Sequence, residues 1–84
     1  MKKSDEMREQ ILDIVNNQMV GNEPPETNVA YTRLIKQGYS DNDARMLLGQ
    51  CIAVEIFNIA KHKQQFDKER YVKNLSNLPK EPGE

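Results

Sequence analysis

The longest apolar stretch of the chain lies between residues 40 and 63. Within it, residues 46–60 include only three clearly polar side chains, those of Gln50, Glu55 and Asn58. A helix that is apolar on nearly every side must be covered by other elements of the fold. We therefore predict one long helix over about 40–63, at the centre of a small helical bundle.

Three shorter segments show the three- and four-residue spacing of apolar positions that is typical of amphipathic helices. We predict these helices over about 4–20, 25–37 and 67–78. The stripe of the first segment comprises Met7, Ile11, Ile14, Val15 and Gln18. Together with the long helix, they predict an all-α fold, a small four-helix bundle.

Local signals mark where these helices begin and end. The tandem Pro24-Pro25 suits the entrance of a helix but not its interior. Gly38 can adopt the left-handed conformation that ends a helix at no steric cost. The side chains predicted to cap a helix N-terminus are those of Ser4, Ser40 and Asp67. Phe66 and Tyr71 stand at the two positions of a hydrophobic staple around the last of these caps.

A chain of 84 residues accommodates one domain with a small core. We predict a single helical domain over residues 1–79 and a disordered tail over 80–84. The apolar run of the long helix is about 15 residues, which is short for a membrane span of roughly 20 residues. The start of the chain is polar after Lys3 and does not resemble a signal peptide. The single cysteine, Cys51, excludes a disulfide within the chain and suits a reducing cytoplasm. We expect a cytoplasmic protein with no membrane partner.

One face of the long helix carries small residues at spacings of four, three and four, and it comprises Gly49, Ala53, Ile56 and Ala60. Small side chains on one stripe let another helix axis come close. Two interpretations follow. The face is either an interface for a second copy, giving a homodimer, or for another protein, or it is the packing site of the first helix. The sequence leaves open whether that helix packs on its own chain or swaps onto a neighbour.

A second stripe of the long helix comprises Cys51, Glu55, Asn58 and His62. Zinc binds such side chains, but a tetrahedral site would need ligands from another element, because the chain has no second Cys or His. We therefore predict no metal and no cofactor, with Cys51 in the core and residues 55–62 at a solvated edge. Cys51 and His62 would lie about 16 Å apart along the helix, so they cannot form a nucleophile–base pair. No catalytic residues and no enzyme activity are predicted.

Positive charge concentrates around the end of the long helix. Residues 61–84 hold six Lys or Arg and four Asp or Glu, whereas residues 1–60 hold six and nine. Cations at a helix C-terminus complement its dipole, or they form a docking patch for an acidic partner. The candidate basic patch comprises Lys61, Lys63, Lys68, Arg70 and Lys73. Nucleic acid is not expected as the main partner, because Asp41 and Asp43 would repel phosphate at the start of the long helix.

Residues 34–48 bear a superficial likeness to the first half of ubiquitin-associated domains, through the helix–Gly38-Tyr39–helix corner. Gln37 stands where that family has methionine, and the following helix is about twice as long as expected. We carry over no ubiquitin-binding residues.

A longer pattern over residues 24–79 comprises Pro24-Pro25-Glu26, Arg33-Leu34, Gly38-Tyr39-Ser40, Ala44-Arg45, Glu55-Ile56-Phe57 and residues 66–71 (FDKERY). This pattern resembles a family of short, uncharacterised bacterial all-helical domains. The resemblance implies an all-helical fold and a bacterial cytoplasmic origin, and it implies no activity. The chain departs from the pattern at Thr27 and Val29, where an apolar and a charged residue would be expected.

From the sequence we expect a non-enzymatic module for protein–protein interaction or self-association. The expectation depends on the long helix, whose apolar surface exceeds what three short neighbours would cover. The alternative is a nucleic-acid-associated or regulatory accessory protein that uses the basic end of the long helix.

Overall fold

The structure, a computed structural model, describes residues 2–83, with side chains from residue 6 onward. Four α-helices occupy this range: α1 (Lys2–Gly21), α2 (Pro25–Lys36), α3 (Asp41–His62) and α4 (Lys68–Asn77). The longest of them, α3, contacts each of the other three. The predicted all-α bundle around one long helix is therefore confirmed, with every boundary within two residues of its predicted place.

The ends of α2, α3 and α4 follow from local chemistry. Ser40 caps α3 by accepting a hydrogen bond from the Asp43 backbone N–H (3.1 Å), and Asp67 caps α4 by accepting one from the Arg70 N–H (3.0 Å). Gly38 has a φ of +102°, which a residue with a Cβ rarely adopts. The prediction for Ser4 is wrong, because α1 begins at Lys2 and places Ser4 inside its first turn.

The core lies where α3 crosses its three neighbours. Its buried apolar side chains are Val15, Ala30, Leu34, Ala44, Leu48, Cys51, Ile52, Tyr71, Leu75 and Leu78. The predicted staple is confirmed, since the rings of Phe66 and Tyr71 lie 5.4 Å apart at the entrance of α4. The core is small, so most apolar residues outside this set remain partly exposed.

The two halves of α1 are held differently. Its C-terminal half is anchored by buried Val15 and by Gln18, whose Oε1 accepts hydrogen bonds from the hydroxyls of Thr27 (2.8 Å) and Tyr71 (2.5 Å). Residues 6–10 are all exposed. In this structure α1 packs on its own chain, and its N-terminal half covers its neighbour only in part.

The segment after α4 turns back along that helix. The Asn74 side chain donates to the Gly83 carbonyl (2.9 Å) and accepts from the Gly83 N–H (3.0 Å). Asn74 itself is buried. The disordered tail over 80–84 stays a prediction, and among its described residues Gly83 makes these two hydrogen bonds with α4.

Candidate interaction surface

The first helix, α1, packs closely on α3 at Gly49. A Cβ built on this buried glycine would meet Ile11 Cγ2 at 3.0 Å, a distance tighter than ordinary van der Waals contact. A side chain at position 49 would require the Ile11 side chain to shift by a few tenths of an ångström. Gly49 therefore takes part in packing within the chain, and its role in an interface with a second copy stays a prediction.

Beyond Gly49 the two helices leave an apolar groove between them, here called the α1–α3 groove. It has two adjoining compartments of about 290 and 350 Å³, which share Met7, Ile11 and Ala53. The remaining lining residues are Arg8, Leu12, Met46, Gly49, Gln50, Ile56, Phe57, Ala60 and Lys61. The groove arises because small residues of α3 face the partly packed half of α1.

The other three residues of the predicted stripe line this groove. Ala53 and Ile56 are half-buried, and Ala60 is exposed. Large apolar side chains at the groove are left open to solvent: Met7 is 56% exposed, Met46 40% and Phe57 39%. The stripe thus divides into one position covered by α1 and three that face an open apolar surface.

The predicted basic patch loses one of its five members to an internal ion pair. Lys61, Lys63, Lys68 and Lys73 are exposed at the end of α3 and along α4. Arg70 instead pairs with Glu55, with its Nε 2.7 Å from Oε2 and its Nη2 3.0 Å from Oε1. A guanidinium held in this bidentate way is not available to phosphate, so the nucleic-acid alternative is weakened.

Glu55 is 1% exposed and also accepts a hydrogen bond from the Asp67 N–H (2.8 Å). Asn58 is buried as well, and its side chain donates to the Val54 carbonyl (2.9 Å). The prediction that residues 55–62 form a solvated edge is therefore wrong for its first part. An ionised carboxylate can be buried here because Arg70 and a backbone N–H satisfy it. The signal in the sequence was a lone carboxylate inside an apolar helix.

Cys51 is a core residue, as predicted. Burial raises the pKa of its thiol from 9.0 to about 12, so the thiol is protonated at neutral pH and is a poor nucleophile and metal ligand. Among the described side chains, those of residues 6–83, no three His, Cys, Asp or Glu come together as a metal-ligand set.

Sequence reasoning missed the buried hydrogen-bond network around Tyr71. Its hydroxyl lies between Gln18 Oε1 (2.5 Å) and Thr27 Oγ1 (3.3 Å). Burial is the main cause that raises the pKa of Tyr71 to about 12. The available signal was Gln18 itself, a polar residue in the apolar stripe of α1, since a buried amide needs partners.

No protein-family model, no curated protein and no solved structure matches this chain. The resemblance to short bacterial helical domains stays a prediction. At the two positions that depart from that pattern, Thr27 is buried and Val29 is 64% exposed. None of the helices in the described chain is both long enough and apolar enough to cross a membrane.

Proposed function

We propose that this chain is a non-enzymatic self-association module, which pairs with a second copy of itself through the α1–α3 groove. The observation that carries the proposal is the open apolar groove, flanked by the half-exposed side chains of Met7, Met46 and Phe57. Contiguous apolar surface with a polar surround is characteristic of protein–protein contact sites.

The size of this face supports a pair of equal copies. A specific interface buries roughly 800 Å² on each partner, which is about a seventh of the 5720 Å² accessible surface of the chain. With 22 residues, α3 is about 33 Å long. Two helices side by side, each roughly 10 Å wide, present a face of about 660 Å² before side-chain relief is added. This area is somewhat below 800 Å², so side chains at the edges of the face would have to contribute to the interface.

Stability supports a second copy as the occupant. A domain of this length buries little apolar surface alone, and its core consists of ten apolar residues. Pairing would cover the exposed apolar side chains at the groove and would stabilise the folded state by mass action. Pairing needs only a second copy of the chain, so the bacterial cytoplasm expected from the sequence would not have to supply another partner.

The test compares three variants by sedimentation equilibrium. Ala53→Glu and Met7→Glu each place a carboxylate at the groove, and both should dissociate the pair, because burying an unpaired charge is strongly unfavourable. Val29→Glu is the matched control, since Val29 is exposed on α2 and does not line the groove. Far-ultraviolet circular dichroism confirms that each variant is folded.

A dimeric wild type, a dimeric Val29→Glu variant and two monomeric groove variants would support the proposal. A monomeric wild type at concentrations up to several hundred micromolar would overturn it. Equal association of the groove variants and the control would overturn it as well, because the contact would then lie elsewhere.

The alternative, a nucleic-acid-associated accessory protein, has weaker support. Four exposed lysines remain in the basic patch, but the net charge of the chain is −1. Binding through these lysines would weaken steeply with salt. A gel-shift titration with mixed DNA or RNA at low salt tests it, and no shift would remove it.

A further inference from the structure

A buried asparagine interrupts the apolar stripe of α4. The stripe carries the core residues Tyr71, Leu75 and Leu78, and Asn74 between them is only 4% exposed. Asparagine is unfavourable in the interior of a helix, because its amide competes for backbone hydrogen bonds. A residue that suits neither a helix interior nor an apolar core is a candidate for a functional contact.

The Asn74 amide holds the backbone of a single residue outside the helices. Its Nδ2 donates to the Gly83 carbonyl (2.9 Å), and its Oδ1 accepts from the Gly83 N–H (3.0 Å). One donor and one acceptor at this spacing are also what a residue of a neighbouring strand offers to a peptide. A Cβ built on Gly83 would meet no atom within 4 Å. The contact therefore requires a free backbone N–H at this position, but it does not require glycine.

The surface of α4 around Asn74 carries positive charge. A cavity of about 480 Å³ separates α4 from the segment of residues 79–83. Its lining residues are Arg70, Lys73, Asn74 and Asn77 of α4 with Lys80, Glu81 and Gly83 of the segment. The α4 side has no carboxylate, so exposed Lys73 favours an acidic occupant. None of these residues lines the α1–α3 groove, so this surface is separate from the proposed self-association.

We propose that this surface of α4 is a docking site for an acidic, non-helical peptide segment of another protein. The backbone N–H and C=O of that segment replace those of Gly83 on the Asn74 amide. The 79–83 segment is the resident occupant, and the incoming segment displaces it. Displacement alone would deprive Asn74 of both partners, whereas exchange of one backbone for another restores both hydrogen bonds.

The docked 79–83 segment sets the affinity to expect. A short tether holds its own end near a site at an effective concentration on the order of 1 mM. The same residues, supplied as a separate peptide, should therefore bind an empty site with a dissociation constant of about 1 mM or lower. In the wild type the site is occupied, so the same peptide should bind at least about twofold more weakly.

A nuclear magnetic resonance titration tests the site, with the side-chain amide signals of Asn74 as the reading. The probe is a synthetic peptide of residues 79–84 (PKEPGE) with blocked termini. The full-length Gly83→Pro variant has an open site, because proline has no N–H to donate to Asn74 Oδ1. We expect PKEPGE to shift the Asn74 signals of this variant at lower concentration than those of the wild type.

Two matched peptides are the controls. PKEPPE lacks the N–H that Asn74 accepts, and it should not bind. PKQPGQ keeps this N–H but has no carboxylate, and it should bind more weakly than PKEPGE, because Lys73 then has no counter-charge. Asn74→Ala should bind none of the three peptides, and circular dichroism checks its fold. If this variant does not fold, the comparison of PKEPGE with PKEPPE decides.

Binding of PKEPGE to the Gly83→Pro variant, without binding of PKEPPE, would support the proposal. The absence of any shift at a peptide concentration roughly tenfold above the expected constant would overturn it. Equal binding of PKEPGE and PKEPPE would overturn it as well, because the Gly83 backbone would then not be the group replaced. Equal binding of PKQPGQ would rule out an acidic segment as the partner. Each of these results is independent of whether two copies associate.

Discussion

At the scale of single residues, Glu55 joins the middle of α3 to the start of α4. Its carboxylate meets both the Arg70 guanidinium and the Asp67 N–H, and water has almost no access to it. The attraction in such a buried pair mainly offsets the loss of hydration. Removing one partner alone therefore destabilises the fold, although the intact pair adds little net stability.

Replacing Glu55 with Gln should lower the free energy of unfolding by about 3 kcal/mol, because the buried ion pair loses its negative partner. Replacing both partners, with Glu55→Met and Arg70→Met, should recover most of that loss. Urea denaturation followed by circular dichroism measures both. The control is Glu69→Gln, an exposed site on α4 that should change stability by less than about 0.5 kcal/mol. Equal effects at Glu55 and Glu69 would contradict this account of the pair.

Cys51 and Tyr71 predict a loss of stability in alkali. Burial raises the pKa of Cys51 from 9.0 to about 12 and that of Tyr71 from 10.0 to about 12. The unfolded chain loses these protons first, so stability is unaffected below pH 9 and falls between pH 9 and 12. Each group contributes a slope of at most about 1.4 kcal/mol per pH unit.

The Cys51→Ala variant isolates the thiol. It should be less stable than the wild type at neutral pH, because a cavity remains, but its stability should begin to fall near pH 10 instead of pH 9, so the difference between the two proteins should shrink above pH 9. Urea denaturation at intervals from pH 8 to pH 11 gives the two curves. Parallel curves across this range would show that the thiol ionises alike in the folded and unfolded chains, contrary to its burial.

At the scale of helices, the limits of α2, α3 and α4 could be predicted because the signals are local. The Ser40 and Asp67 side chains cap N–H groups three residues away, and Gly38 ends α2 through its own φ angle. The Glu55–Arg70 pair could not be predicted, since it joins residues of two helices across a turn whose direction the sequence does not specify. Gln18, a polar residue in the apolar stripe of α1, indicated a buried polar contact. Its partners could not be predicted, because they lie on α2 and α4.

The packing of α1 on α3 depends on the absence of a side chain at Gly49. Gly49→Leu should destabilise the fold by about 2 kcal/mol, because the new side chain overlaps Ile11 and moves α1 outward. Adding Ile11→Ala should make the double variant more stable than the sum of the two single effects, since it makes room for the leucine. Thermal or urea unfolding of the four proteins measures the coupling. If the two single effects were strictly additive, the side chains at positions 11 and 49 would not touch, which would contradict the packing of α1 on Gly49.

At the scale of the whole molecule, α1 covers only part of the face that α3 presents. The intrachain interpretation of the small-residue stripe therefore accounts for only part of it, and the interface interpretation stays a proposal for the rest. Gly49 is packed by α1 of the same chain, whereas Ala53, Ile56 and Ala60 line the open groove. The sequence could not divide the stripe, because the angle at which α1 crosses α3 depends on contacts with α2 and α4. The groove is thus a property of the assembled bundle.

The central claim is that this groove pairs two copies of the chain. Sedimentation equilibrium of the wild-type protein over a wide concentration range, at low and high salt, tests it most directly. We predict a reversible monomer–dimer equilibrium at both salt concentrations, because the groove is lined mainly by apolar side chains. A single species with the mass of 9.7 kDa at every concentration and salt would contradict the claim.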